Sequence, residues 1–123
     1  MNAIQDTLES LHRITGIKGG AVVTLDGLVA AESLDDRFSS DVVGGLASFL
    51  LMTMNRSLRE GGLGDCRQFM LHATHGKVIL TALDEAYLVV IFDQFADVAT
   101  VRSEVAEAAT RIRHTARLSS DVG

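Results

Sequence analysis

The chain has 123 residues with a formal net charge of -5, and 47% of its residues are hydrophobic. This length predicts one domain, and the acidic balance argues against partners such as nucleic acid or an anionic membrane surface, which require concentrated lysine and arginine. The single cysteine, Cys66, excludes an intrachain disulfide and suits a reducing compartment. The longest uncharged run, residues 42–55, is too short to span a membrane, so we expect a cytoplasmic protein without membrane insertion.

The chain begins with a predicted amphipathic helix over residues 3–15. Ile4, Leu8 and Leu11, followed by Ile14 or Thr15, recur at helical spacing. Gly16 then provides a natural stop. Because one face of this helix is apolar, we expect it to dock on another part of the fold.

A β-hairpin is predicted from the next segment, GGAVVTLDGLVAAES, which contains two apolar runs with strand propensity. Asp26 and Gly27 lie between the two runs. This pair accepts positive φ angles, so it predicts a two-residue hairpin turn.

The segment SDVVGGLASFLLMTMNRSL, residues 40–58, predicts a second helix that Ser39 or Ser40 can cap and Gly61 can end. A rotation of about 100° per residue places a core stripe on the face expected to meet the sheet. The members of this stripe are Val43, Leu46, Leu50 and Met54. Its flanks are also apolar, with Phe49 on one side and Ala47, Leu51 and Leu58 on the other.

The apolar arc of this helix is wider than one sheet face covers, so its flanks need another partner. A neighbouring loop of the same chain is one candidate. We favour a second subunit, because exposed apolar patches usually mark interfaces and the mean hydropathy of the chain is +0.24. Gly44 and Gly45 each cost about 1 kcal/mol of helix propensity relative to alanine. Because they carry no side chain, we expect them to leave room on the outward face of the helix where the neighbour approaches.

Three further strands are predicted as a meander from DCRQFMLHATH, GKVILTALD and AYLVVIFD. The run from Arg67 to Thr74 alternates between apolar and polar residues, as expected near a sheet edge. The run from Tyr87 to Phe92 is continuously apolar, which predicts a central strand covered on both faces.

The last helix is predicted behind a candidate cap at Asp97, with a buried stripe formed by Val98, Val101, Val105, Ala108 and Ile112. The resulting fold class is α+β, in the order helix, two strands, helix, three strands, helix. We expect a five-stranded antiparallel sheet with the middle helix on one face and the first and last helices on the other. Residues 1–118 are predicted to form the single domain and residues 119–123 a flexible tail.

The sequence offers no recognisable catalytic set, so we predict neither an enzyme nor a bound cofactor. His72 and His75 fall on opposite faces of a strand or in its turn and cannot converge on one metal ion. The glycine-rich joint of residues 61–64 follows a helix and lacks the Lys-Ser or Lys-Thr pair of a phosphate-binding loop. The aspartates lie at turns and helix starts, where they serve backbone geometry.

The order of elements, with GIKGGAVVTLDGLVAAES before a long apolar helix and HGKVILTALDEAYLVVIFD before the last one, resembles the Roadblock/dynein light chain family. The resemblance covers Ile4 to Ile112. It includes the hairpin of residues 19–28, the GLAS piece of the middle helix, and the His75-Gly76 turn. Profilin-like relatives, including PAS and GAF domains, share parts of this arrangement.

The resemblance implies a homodimeric regulator or scaffold in which the third strands pair and the middle helices lie side by side. The implied dimer interface consists of Ala47, Phe49, Leu51, Leu58, Arg67, Phe69, Leu71 and Ala73. Bacterial members of this family commonly accompany a small Ras-like GTPase, and the gliding-motility member activates its hydrolysis. The implied partner surface consists of Ser48, Met52, Asn55 and Arg59.

Three alternatives stay open at this point. Arg56 or Arg59 could act as an arginine finger, although arginines in a last helical turn usually complement the helix dipole. The domain could be a PAS-like or GAF-like sensor with a small ligand inside it, which requires a cavity of several hundred cubic ångströms. An enzyme of unknown class has the least support.

Overall fold

The computed structural model describes the backbone of residues 2–122 and the side chains as far as residue 116. Its elements are α1 (Ala3–His12), β1 (Ile17–Thr24), β2 (Val29–Leu34), α2 (Ser40–Glu60), β3 (Gln68–Ala73), β4 (Gly76–Ala82), β5 (Ala86–Phe92) and α3 (Val98–Val122). The predicted α+β fold and order of elements are confirmed. No helix within residues 2–122 combines the length and apolar character needed to cross a membrane.

The five strands form one antiparallel sheet in the order β2-β1-β5-β4-β3. The predicted central position of the continuously apolar strand is confirmed, since β5 pairs with β1 on one side and β4 on the other. The predicted edge position of β3 is also confirmed. It pairs with β4, with Phe69 opposite Leu80 and Leu71 opposite Val78.

The sheet separates two apolar cores, and β5 supplies both because its side chains alternate between faces. Leu88, Val90 and Phe92 are buried in the core that α1 and α3 cover. Tyr87 and Val89 are buried in the core that α2 covers. The predicted placement of the helices on the two faces is therefore confirmed.

The helix α1 ends at His12, three residues earlier than predicted. Beyond it the chain turns tightly, with the Ile14 amide bonded to the Leu11 carbonyl and the Ile17 amide to the Ile14 carbonyl, both at 3.0 Å. Gly16 adopts a positive φ of 93° in this turn. The apolar pattern continued past the helix because Ile14 packs against the same core from the turn.

The β1–β2 turn has three residues, so the prediction of a two-residue turn at Asp26 and Gly27 was wrong. The Gly27 amide donates to the Thr24 carbonyl at 3.0 Å, and the Thr24 amide donates to the Leu28 carbonyl at 2.9 Å. Only Gly27 has a positive φ, of 92°, among the residues of this turn. A three-residue hairpin places its single left-handed residue last, which accounts for the use of only the glycine.

The helix α3 is assigned through Val122, so its backbone includes most of the segment predicted as a flexible tail. The side chains from residue 117 onward, and Gly123, lie outside the described residues. The tail therefore stays a prediction.

At the start of α3, the Asp97 carboxylate accepts hydrogen bonds from the Thr100 amide at 3.2 Å and the Thr100 hydroxyl at 2.5 Å, which lower the pKa of Asp97.

Candidate interaction surfaces

The helix α2 is rotated about its axis relative to the prediction. Val43, Ala47 and Leu51 are buried against the sheet. Leu46, by contrast, is 55% exposed, and Leu50 is half-buried. The predicted core stripe was therefore right at Val43 and wrong at Leu46. Ala47 and Leu51, predicted as dimer contacts, belong to the protomer core and are not available to a partner.

The β1–β2 hairpin sets this rotation by packing across the first half of α2. A β-carbon on Gly44 would lie 2.5 Å from the Gly27 carbonyl oxygen and 3.0 Å from a Val29 methyl carbon, so only glycine fits there. A β-carbon on Gly45 would meet nothing within 4 Å. The expectation that Gly44 thins an outward face was wrong, because a loop of the same chain covers that side.

The opposite side of α2 carries an uncovered apolar surface, here called the apolar flank and defined by Val42, Leu46, Phe49 and Leu50. Phe49 is 66% exposed, and Val42 is equally exposed. Leu46 and Leu50 line a shallow groove of ≈ 50 Å³ between α2 and the sheet, whose far side includes Leu71 of β3. The apolar flank is therefore continuous with the free edge of the sheet.

The predicted dimer residues of β3 are distributed along that edge. Phe69 is half-buried and packs against the core beneath α2, and Leu71 is partly exposed in the groove. Arg67 precedes the strand and Ala73 ends it, and both are exposed. Leu58, predicted for the same interface, is half-buried near the end of α2.

A second groove, the hairpin groove, lies between the β1–β2 hairpin and the second half of α2 and has a volume of ≈ 420 Å³. Its lining includes three of the predicted partner-surface residues, Met52, Asn55 and Arg59, together with Leu25, Leu51, Arg56 and Glu60. The fourth, Ser48, lies at the hairpin, where its hydroxyl donates to the Leu25 carbonyl at 3.4 Å.

A hydrogen-bonded network holds the α2–β3 loop beside the hairpin groove. The Arg59 Nε donates to the Asp65 carboxylate at 2.5 Å, which raises the pKa of Arg59. The Cys66 amide donates to Asn55 Oδ1, and the Tyr87 hydroxyl donates to the Cys66 carbonyl, both at 2.7 Å. Sequence reasoning missed this network, although a tyrosine in a buried strand signals that its hydroxyl needs a partner.

The fold also brings together Ser33, His12 and Asp35, which sequence reasoning left apart. His12 Nδ1 lies 2.8 Å from Ser33 Oγ, and His12 Nε2 lies 2.5 Å from Asp35 Oδ1. The ring nitrogens are reversed relative to serine hydrolases, in which Nε2 faces the serine. We assign the cluster a structural role, because its two hydrogen bonds join the end of α1 to β2 and to the residue that follows β2.

In the described part of the chain, no group of three or more histidine, cysteine or acidic side chains is arranged to hold a metal ion. Burial raises the pKa of the Cys66 thiol, which disfavours the thiolate that reactive or metal-binding cysteines require.

Solved structures of similar fold include Myxococcus xanthus MglB, with a TM-score of 0.87 and 16% identity. That similarity covers 93% of this chain and 94% of MglB. The Roadblock/LC7 domain from Streptomyces avermitilis has a TM-score of 0.83 and 23% identity, over 94% of this chain and 99% of that domain. The predicted Roadblock architecture is thereby confirmed.

Similarity in sequence leads to the same family. The chain is 34% identical over 110 residues to the uncharacterized protein MJ0310 of Methanocaldococcus jannaschii, a match that covers 89% of this chain and 96% of that protein. Residues 3–92 match the Roadblock/LC7 domain. The chain therefore belongs to the Roadblock/LC7 domain family.

Proposed function

We propose that the chain is a homodimeric regulatory or scaffolding module that binds a small Ras-like GTPase. The observation that carries this proposal is the apolar flank of α2, which lies uncovered beside the free edge of β3. Membership of the Roadblock/LC7 family supports it, and the family resemblance supplies the GTPase as the class of partner. The module itself is proposed to act through contacts rather than through catalysis.

The two edges of the sheet differ, and the difference favours β3 as the pairing strand. At the β2 edge, the Gln5 side chain of α1 donates from Nε2 to the Glu32 carbonyl at 2.8 Å. This backbone carbonyl of the edge strand therefore already has a hydrogen-bond partner in its own chain. At the β3 edge, Leu71 and Ala73 are exposed. An exposed edge is a template for another strand, and pairing two β3 edges would extend one sheet through both protomers.

Pairing of this kind would bring the two apolar flanks together around a twofold axis, where each contact occurs twice. The interface we propose consists of Val42, Leu46, Phe49, Leu50, Phe69 and Leu71. It keeps Phe49, Phe69 and Leu71 from the sequence-based set and replaces Ala47 and Leu51 with residues that are exposed or half-buried. Arg67, Ala73 and Leu58 stay as peripheral members of the proposed interface.

The sensor alternative is disfavoured by the packing beneath α2. Val43, Ala47, Leu51, Leu80 and Val89 fill the space between the helix and the sheet. The groove that remains at its side has a volume of ≈ 50 Å³. Ligand pockets usually measure about 300–1,000 Å³, so this space does not suit a small-molecule ligand. The hairpin groove is within that range, but it lies on the outer surface of α2, where Met52, Arg56 and Arg59 are exposed, and not inside the domain as the sensor alternative requires.

The proposal is tested by titrating the wild-type chain with the small Ras-like GTPase encoded nearest to its gene. The GTPase is loaded with GDP in one experiment and with a non-hydrolysable GTP analogue in another, and binding is measured by calorimetry. We expect binding that differs between the two nucleotide states. Absence of binding in both states would contradict the GTPase proposal and favour a scaffold for other proteins. A parallel hydrolysis assay distinguishes acceleration from binding alone.

A further inference from the structure

The proposed dimer uses the β3 edge of each chain and leaves a β2 edge at both ends of the joined sheet. A sheet edge with free backbone groups is a template for a further strand. If two β2 edges could also pair, each dimer would join another dimer at either end, and the sheet would grow without limit. A chain that stops at a dimer therefore needs a β2 edge that stays unpaired.

The backbone of β2 is blocked near its centre by a side chain of α1. The Asp35 amide donates inward to the Lys18 carbonyl of β1 at 3.0 Å. Because the residues of an antiparallel strand alternate, the backbone groups of Glu32 point away from β1. The Gln5 side chain donates from Nε2 to this outward carbonyl at 2.8 Å. A strand from another chain would have to displace Gln5 before it could use the carbonyl.

The far end of β2 is held against α1 by a second side chain. His12 Nδ1 lies 2.8 Å from Ser33 Oγ, and His12 Nε2 lies 2.5 Å from Asp35 Oδ1. Gln5 and His12 are seven residues apart, which is close to two helical turns, so they lie on the same side of α1. The helix is therefore fixed beside the β2 edge at two points.

The shape and charge of β2 also disfavour the addition of a strand. Its register against β1 shifts between Val22 and Val23 and leaves Ala30 without a residue opposite it. A bulge of this kind twists an edge away from a regular ladder. Glu32 and Asp35 would also approach their own copies if two β2 edges met, and like charges that face each other across strands repel.

The β3 edge differs from the β2 edge in each of these respects. Its register against β4 continues without a shift over Gln68–Ala73, and this strand contains no acidic residue. The Arg67 carbonyl accepts inward from the Ala82 amide at 2.8 Å, so alternation directs the backbone groups of Met70 outward. No side chain in the described part of the chain bonds to these outward groups.

We infer that α1 guards the β2 edge through Gln5 and His12, so that a second copy of the chain adds only at β3. The partner that this guard excludes is the β2 edge of another copy. The inference rests on the dimer of the proposed function and explains what limits its size. It does not depend on the identity of any other partner.

The test removes the guard with the double variant Gln5→Ala and His12→Ala, here called the guard variant. Light scattering at a series of micromolar concentrations gives its mass, and circular dichroism gives its helical content. We expect a folded protein whose mass rises with concentration to at least about twice that of wild type. The control combines Arg13→Ala, which removes a side chain that bonds to Ser10, with His114→Ala at an exposed position of α3. It should keep the wild-type mass.

A second combination separates ordered pairing from non-specific aggregation. Adding Leu46→Asp and Phe49→Asp to the guard variant closes the proposed dimer surface and leaves each chain with one open edge. We therefore expect growth to stop at two chains. Growth of this combined variant beyond two chains would overturn the inference, because it would show association that does not use the β2 edge.

A guard variant that keeps both its helical content and the wild-type mass at every concentration would also overturn the inference, while the proposed dimer would stand. If the guard variant unfolds, Gln5→Ala alone takes its place under the same criterion. If wild type proves monomeric, the proposed dimer fails. The guard variant should then stop at two chains, and a monomeric guard variant would contradict the guard as well.

Discussion

The carbonyl oxygen of Gly27 lies 2.5 Å from the position that a β-carbon on Gly44 would occupy. Real β-carbons do not approach a backbone oxygen so closely, so the hairpin rests directly on the backbone of α2 at this point. This contact decides which side of α2 is covered by its own chain and which side stays open. The placement of the proposed dimer interface depends on it.

The first prediction concerns this contact. Gly44→Ala forces the hairpin away from α2, and we expect it to lower the free energy of unfolding by about 1–3 kcal/mol, as overpacked sites do. Gly45→Ala is the matched control, because a β-carbon there meets open space. It should be neutral, or more stable by about 1 kcal/mol from helix propensity. Urea unfolding at equal protein concentrations measures both variants, and equal stability of the two would contradict the contact.

The second prediction concerns the hydrogen bond from Tyr87 to the Cys66 carbonyl. Tyr87→Phe keeps the ring but leaves that carbonyl without its donor, and we expect a loss of about 1–3 kcal/mol in the free energy of unfolding. Thr110→Val is the control, because it removes an exposed hydroxyl that bonds to the Ala106 carbonyl within α3. Its effect should stay within about 0.5 kcal/mol. Equal losses of unfolding free energy in the two variants would show that the hydrogen bond from Tyr87 adds no stability.

The third prediction is a loss of stability in alkali. Burial raises the pKa of the Cys66 thiol above its ordinary 9.0 and that of the Tyr87 phenol above its ordinary 10.0. The unfolded chain therefore releases these protons at a lower pH than the folded chain. The contribution of these two groups to the free energy of unfolding is complete below about pH 9 and is lost as the pH rises further.

Unfolding by urea at a series of pH values from 7 to 10.5 measures this dependence. Cys66→Ala removes the group that titrates first, so it should flatten the fall that begins near pH 9. Tyr87→Phe should flatten the part above pH 10. Unchanged pH profiles in both variants would assign the alkaline loss to other groups.

The fourth prediction concerns self-association through the apolar flank. Leu46→Asp combined with Phe49→Asp places two carboxylates where the second protomer is proposed to pack, and desolvating them is costly. We expect this double variant to become monomeric while it keeps its helical content. Ala106→Asp, at an exposed position of α3, is the control and should stay dimeric. A double variant with the wild-type mass would place the dimer contact on another surface.

The order of elements and the sheet positions could be predicted from the sequence because their signals are local. The unbroken apolar run around Val89 indicates a strand buried on both faces, and the alternation around Leu71 indicates an edge. Gly61 and Asp97 mark helix boundaries in the same local way. No contact with a distant part of the chain is needed to recognise these features.

The rotation of α2 could not be predicted, because its apolar arc covers more than half of the circumference. Ala47 and Leu46 are neighbours in an arc with no clear centre, yet one is buried and the other is exposed. The deciding contact joins Gly44 to Gly27, far apart in the sequence. The prediction of a two-residue turn at Asp26 failed for a related reason, since an Asp-Gly pair suits both a two-residue and a three-residue hairpin.

The central claim is that a second copy of this chain covers the apolar flank and the β3 edge. The most direct measurement is light scattering of wild type after size-exclusion chromatography at micromolar concentration. The account predicts a mass of twice the 13.2 kDa chain. A well-folded wild-type monomer of 13.2 kDa would contradict it.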